Sequence, residues 1–411
     1  MKHQDASVGR HLRIVLAYCL IGFANTVLPS VVHSSSYLIV PYSRPVVLVI
    51  RILPAVLTKL ALPHLLHGTA DRQRPLVLGI GWTFSAFLTW ISPPNVSPNI
   101  RIFAVVLASM SAAAGDVSWL GLLRYYGKHG LVGWGIGTGL GGLVTAVLPY
   151  YLTIHLNGEV RQGLTYSWYL VPMLVGAHYL ILPHAVPDAA TSKDEEKAKG
   201  QIDLDNQSRT SNDPLLAEHE SLDSSLLELA QSNLEVLSTL VKPCILPLAM
   251  AFIGSGVIFP GFSRAMAMGT SFDTYATYLA AVGTAFQVGD LLARSSALLI
   301  KSPRKQYVWL ALPVTIAFLA VNAAFVLTTP GAVVYAALFL AGLAVGTTYM
   351  STWSTAMGVT AKEAGASQQV LLGAIGVGEP AGLLVGGLLG AALEGLMCGY
   401  GRGGRWCSAT R

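Results

Sequence analysis

The residues of this sequence that could do chemistry stand inside long apolar runs. Arg51 and Lys59 lie in the run 45–66, Asp116 in 99–123, Asp290 and Arg294 in 272–295, and Glu379 in 369–392. An ionisable side chain at bilayer depth is expensive and persists where it meets water, a partner or a ligand. Lys59 and Arg51 are about two turns apart and share roughly one helix face. Cations so placed suit the anionic or zwitterionic group of a small solute. Asp116 and Glu379 suit a solute's amine or a proton, because a carboxyl in a dry cavity readily exchanges one. Glu379 is followed by Pro380, which frees backbone carbonyls beside a mid-helix acid.

Each of these residues also has a plainer reading. Arg51 is near one end of its run, and its long stem can carry the charge out to the interface. Lys59 is too deep for that without strain, which leaves a cavity or an ion pair. Asp116 can pair with Lys59 merely to lock two helices. Asp290 and Arg294, spaced i, i+4, read as a local structural pair.

Elements that place such residues follow from composition. Charged residues make up 11% of the 411 and apolar residues 53%, with a mean hydropathy of +0.56. A water-soluble chain carries about a quarter charged residues, so much of this surface must face lipid. Eleven apolar runs are long enough to cross a bilayer as helices: 11–32, 45–66, 74–93, 99–123, 130–155, 164–187, 239–261, 272–295, 306–328, 331–352 and 369–392. The expected fold class is all-α, polytopic, in a six-plus-five arrangement. The first run reads as a signal anchor rather than a cleaved leader.

The net charge of +5 hides an asymmetry. Twelve of the 21 acidic residues lie between Asp188 and Glu235, and the basic excess sits in short loops. Lys2, Arg10 and Arg13, then Arg72 and Arg74, Arg124 and Lys128, and Lys301, Arg304 and Lys305 fall on one side, which orients the N-terminus to the cytosol. Arg402, Arg405 and Arg411 depart from the rule by falling on the other side. No basic run is interleaved with exposed aromatics, so nucleic acid is not an expected partner. The domains are then 1–187, a six-helix half; 188–238, an acidic, largely disordered cytosolic loop ending in an amphipathic helix over Leu226–Leu240; 239–395, a five-helix half; and 396–411, a short Gly/Arg tail.

Several other features are negative for chemistry. Gly133-Trp134-Gly135-Ile136-Gly137-Thr138-Gly139 imitates a nucleotide loop, but no strand precedes it and it lies within an apolar run, so close helix packing explains it better. Gly382, Gly386 and Gly390 make a similar small-residue face. Cys19, Cys244, Cys398 and Cys407 form no CxxC, and neither a disulfide framework nor a metal site is expected. No nucleophile–base pair stands out; neither catalysis nor a cofactor is expected.

Two halves with a long loop between them fit a carrier that rocks about a midplane site. Gly68-Thr69-Ala70-Asp71-Arg72-Gln73-Arg74 resembles part of the major-facilitator loop motif between helices 2 and 3. Further stretches resemble the battenin family, lysosomal in animals and vacuolar in fungi. They are Ile52-Leu53-Pro54-Ala55-Val56-Leu57-Thr58-Lys59-Leu60, Ser109 to Val117 through Gly115-Asp116, Trp134 with Gly137-Thr138-Gly139, Ala293-Arg294-Ser295-Ser296, and Gly346 to Trp353. Departures are clear as well: Ala251-Phe252-Ile253-Gly254-Ser255-Gly256 lacks the family's helix 7 acid, His33-Ser34 replaces His-Asp, and Gly378-Glu379-Pro380 stands where the family has Asp-Thr-Leu-Gly. The chain reads as a divergent, fungal-type member. The resemblance implies a major-facilitator-like fold in the vacuolar or lysosomal membrane. It also implies movement of a small polar solute of the basic amino-acid or glycerophosphodiester class and a part in organelle pH; the membrane acids add an expected link to protons. Arg51, Lys59, Asp116 and Glu379 are the candidate substrate or coupling residues, with the bilayer, the solute and protons as partners. A non-transporting membrane scaffold in vesicle trafficking is the other reading.

Overall fold

The computed structural model describes residues 2–37, 42–65, 73–91, 98–155, 160–183, 238–266, 272–296, 305–325, 331–361 and 365–400. All regular structure among them is helical. The N-terminal half holds α1 (Lys2–Tyr37), α2 (Arg44–Leu65), α3 (Arg74–Ile91), α4 (Pro98–Gly121), α5 (Leu123–Tyr150) and α6 (Val160–Gly176). The C-terminal half holds α7 (Leu246–Gly256), extended at both ends by π turns, then α8 (Tyr275–Ser295), α9 (Lys305–Phe325), α10 (Gly331–Thr360), α11 (Gly365–Ile375) and α12 (Gly378–Tyr400). Seven of the resulting rods are long and apolar enough to cross a membrane; α6 and α9 carry shorter apolar stretches. With α3 and α8 they make the eleven expected spans. Large apolar side chains point outward, among them Ile80 at 70% and Leu180 at 78% exposure. Such a surface is stable against acyl chains and unstable in water. The protein is a multi-pass membrane protein.

In the first half α1 packs on α5, α4 and α6, while α4 also contacts α2 and α3. In the second, α10 packs on α8, α9 and α7, and α12 lies along α7. The halves meet along two seams, α5 against α8 and α2 against α12. Glycines make the first seam close. On α5, Gly133 and Gly137 face the main chain of Val15 and Cys19 on α1, while Gly139 and Gly142 face Leu291 and Gln287 on α8. A Cβ at any of the four would overlap its neighbour. The glycine run is therefore a two-sided packing strip, as expected from its place in an apolar span. Gly382, Gly386 and Gly390 do the same for α12 against Ala249, Ile253 and Val257.

Three sequence expectations need correction. The last span is not continuous: the helix breaks at Gly376-Val377, so α11 and α12 are separate pieces. Pro380 consequently sits in the first turn of α12, where its missing N–H leaves no carbonyl stranded; the break, not the proline, opens the backbone. The C-terminal boundary at 395 also falls inside a helix, since α12 runs on to Tyr400. Finally, Cys398 is disulfide-bonded, although the sequence gives no expectation of a disulfide framework. Positions 188–237 and Gly68–Arg72, which hold the acidic loop, most of its amphipathic end and most of the loop motif, lie outside the described residues.

Candidate functional site

Three of the four candidate residues converge. Lys59 on α2 extends its Nζ to Asp116 Oδ2 on α4 at 2.6 Å and to Glu379 Oε2 on α12 at 3.5 Å. The lysine side chain is only 3% exposed, whereas Asp116 and Glu379 retain 21% and 29%. The ammonium is thus enclosed and the two carboxylates each keep an open face.

Local sequence explains the convergence. Gly115 lets α1 approach so closely that a Cβ there would collide with Asn25. Asn25 then donates from Nδ2 to Asp116 Oδ1 at 2.8 Å and to the Ala112 carbonyl at 3.2 Å, fixing the carboxylate against α1. On the other side, the break at Gly376-Val377 brings the chain beside the lysine: a Cβ on Gly376 would lie 3.7 Å from Lys59 Nζ. Glu379 falls in the first turn of α12, where the positive end of the helix dipole favours its charge. Asp116 and Lys59 belong to the first half and Glu379 to the second, so the cluster spans the α2–α12 seam.

Arg51 does not join them. Eight residues from Lys59, it is displaced by about 12 Å along α2. Its carbonyl accepts from Ser109 Oγ at 2.5 Å, and that hydroxyl also lies 3.0 Å from His33 Nε2. Among the described residues the Arg51 guanidinium forms no ion pair.

A second buried charge group faces the α5–α8 seam. Arg294 Nε is 2.8 Å from Asp290 Oδ2, and Arg294 Nη1 donates to Thr138 Oγ1 of α5 at 2.8 Å. The guanidinium also lies over the Tyr349 ring at 4.2 Å, and Trp134 Nε1 donates to the Tyr349 hydroxyl at 2.9 Å. Glu379 is within electrostatic range of Asp290, Arg294 and Tyr349. The i, i+4 pairing expected from the spacing is present, but Arg294 additionally ties the two halves together. Thr138, Tyr349 and Asn25 were missed in the sequence; an amide inside an apolar run is the signal that could have found Asn25.

An apolar groove of about 460 Å³ between α3 and α6, lined by Ile80, Thr83, Phe87, Trp168 and Val171 among others, shares no residue with either charge group. Its lining is almost wholly apolar.

Comparison with known proteins follows the same lines. The chain is similar to Protein btn-1 of Neurospora crassa, at 27% identity over 96% of this chain and 90% of that one. Protein BTN1 of Yarrowia lipolytica is 26% identical over 96% and 98% of the respective chains. Among solved structures, the proton:xylose symporter XylE superposes with a TM-score of 0.59 at 14% identity, over 95% of this chain and 88% of that one. The human organic anion transporter MFSD10 gives 0.59 at 13% identity, over 97% and 96%. Those structures show that the fold is of the major-facilitator type. The model of the CLN3 protein family matches residues 16–400, and the chain therefore belongs to the CLN3 (battenin) family.

Proposed function

We propose that the protein is a transporter that moves a small polar solute across a vacuolar or lysosome-like membrane, linked to protons, with its N-terminus cytosolic. The observation that carries this reading is the charge imbalance at Lys59. Two carboxylates, one from each half, enclose one buried ammonium. With all three ionised, the group holds one negative charge too many for a low-dielectric setting, and a proton or a solute cation restores balance. Because the carboxylates keep open faces while the lysine is covered, exchange happens at Asp116 and Glu379. Proton loading of Glu379 loosens its hold on Lys59 and lets the α2–α12 seam part; proton release closes it.

The solute is of the basic amino-acid or glycerophosphodiester class. Arg51, standing two turns away without a carboxylate partner among the described residues, holds the solute's anionic group. The disulfide at Cys398 fits an oxidising, lumenal side for the end of α12, in agreement with the orientation read from the loops. Purified protein in liposomes containing a pH-sensitive dye tests the reading. Addition of lysine, arginine or a glycerophosphodiester should produce a proton signal that Glu379→Gln removes. Silence with every solute, from protein that remains folded, favours the scaffold reading.

A further inference from the structure

The α2–α12 seam is closed by charge at two places, and only one of them belongs to the site described above. At the N-terminus of α2, Arg44 Nη1 donates to Glu394 Oε1 at 3.0 Å and to Oε2 at 3.3 Å. Fifteen residues separate Arg44 from Lys59, and fifteen separate Glu379 from Glu394. The helices run antiparallel, so Arg44–Glu394 and Lys59–Glu379 are rungs of one register, about 22 Å apart at 1.5 Å per residue. Between the rungs the helices touch through Gly387, where a Cβ would meet Leu48. Each rung joins the first half to the second.

We propose that Arg44–Glu394 is a gate: it holds the α2–α12 seam shut at the Arg44 end while Lys59–Glu379 holds the opposite end. The inference rests on the carrier reading, in which the halves rock about the seam. Both rungs are made in this structure, and rocking of α12 on α2 about the Gly387 contact parts one rung while the other stays made. The structure supplies further groups suited to a gate at the Arg44 end. Tyr275 OH is 3.5 Å from both Arg44 Nη2 and Ser263 Oγ, and the Arg264 guanidinium lies over the Tyr275 ring at 5.1 Å. Tyr278 OH donates to the Ser263 carbonyl at 2.7 Å. Ser263 is 2% exposed beneath these groups, so its accessibility reports whether the end is open. Arg44 keeps 34% side-chain exposure and Glu394 13%; such a pair is weak enough to break in each cycle.

The test is the rate at which Ser263→Cys reacts with a membrane-impermeant maleimide, corrected for labelling of the same protein without that cysteine. With the pair intact, labelling should be slow. Glu394→Gln and, independently, Arg44→Gln should each raise the rate about tenfold or more. Arg44→Lys, which keeps a cation, should stay within about threefold of the parent, and Glu379→Gln, which frees the opposite rung, should leave labelling slow or slower. Size-exclusion profiles show which variants remain folded, and the two neutral variants serve as replicates for one another. Equal rates with and without the pair, or faster labelling in Glu379→Gln, overturn the gate. A gate that fails this test leaves solute-driven proton signals untouched. Rates that change as expected in a protein that moves no solute leave the gate standing and remove the transport reading.

Discussion

Two groups of buried charge lie on the two seams between the halves, and they are built on different terms. At Asp290–Arg294 one acid meets one base on the same helix, both nearly covered, and the arginine's remaining contacts go to a hydroxyl and an aromatic face. At Lys59 two acids from different helices meet one base, and only the base is covered. The first group pairs one acid with one base. The second is unbalanced and its acids are reachable. A buried ion pair contributes little net stability by itself, although removing one partner is costly. On the proposed function, the stoichiometry of charge and the exposure of the acids distinguish a site from a brace.

Substitutions can break or sharpen this contrast. Arg294→Met should have the largest effect on stability, roughly 3–5 kcal/mol, because it strands Asp290 at 4% side-chain exposure. Thermal unfolding in detergent reads this loss. Asp290→Leu combined with Arg294→Met should recover most of it and retain transport. A folded but inactive double variant would place the second group in the transport machinery and erase the distinction.

Lys59→Met should cost about 3 kcal/mol, less than the arginine because Asp116 and Glu379 are only partly buried. Pairing it with Asp116→Leu should restore the melting temperature while transport stays lost. Full activity in that double variant would make Lys59 and Asp116 purely structural.

Asn25→Ala removes the 2.8 Å bond to Asp116 and should cost about 1.5 kcal/mol, as expected for a hydrogen bond to a charged group. It should also change the pH dependence of transport, because Asp116 loses the donor that holds its carboxylate against α1. A shifted melting temperature with an unchanged pH profile would confine Asn25 to packing.

Glu379→Gln should be the mildest for the fold, about 1 kcal/mol or less, because Lys59 keeps Asp116 at 2.6 Å. Its effect should fall on coupling instead, flattening the pH dependence of solute movement. An unaltered pH profile would move the exchangeable proton to Asp116.

The sequence by itself determined that this is a membrane protein with eleven spans in two halves, because lipid solvation acts on local composition and run length. It also singled out Lys59, Asp116 and Glu379, since a charge in an apolar run is conspicuous wherever the chain goes. It marked the glycine runs as packing surfaces for the same local reason. Only the tertiary structure decided which charges meet. Lys59 is 57 positions from Asp116 and 320 from Glu379, and no periodicity relates them; helix packing through Gly115 and the break at Gly376-Val377 bring them together. The same packing set Arg51 apart, although its spacing from Lys59 had put both on one face, because a shared face says nothing of the two turns of height between them. It likewise turned Arg294 from a local partner of Asp290 into a tie between halves, and matched Arg44 with Glu394 across 350 positions. Local chemistry is written in the chain, whereas partnership between distant charges depends on how close the backbones of packed helices can come.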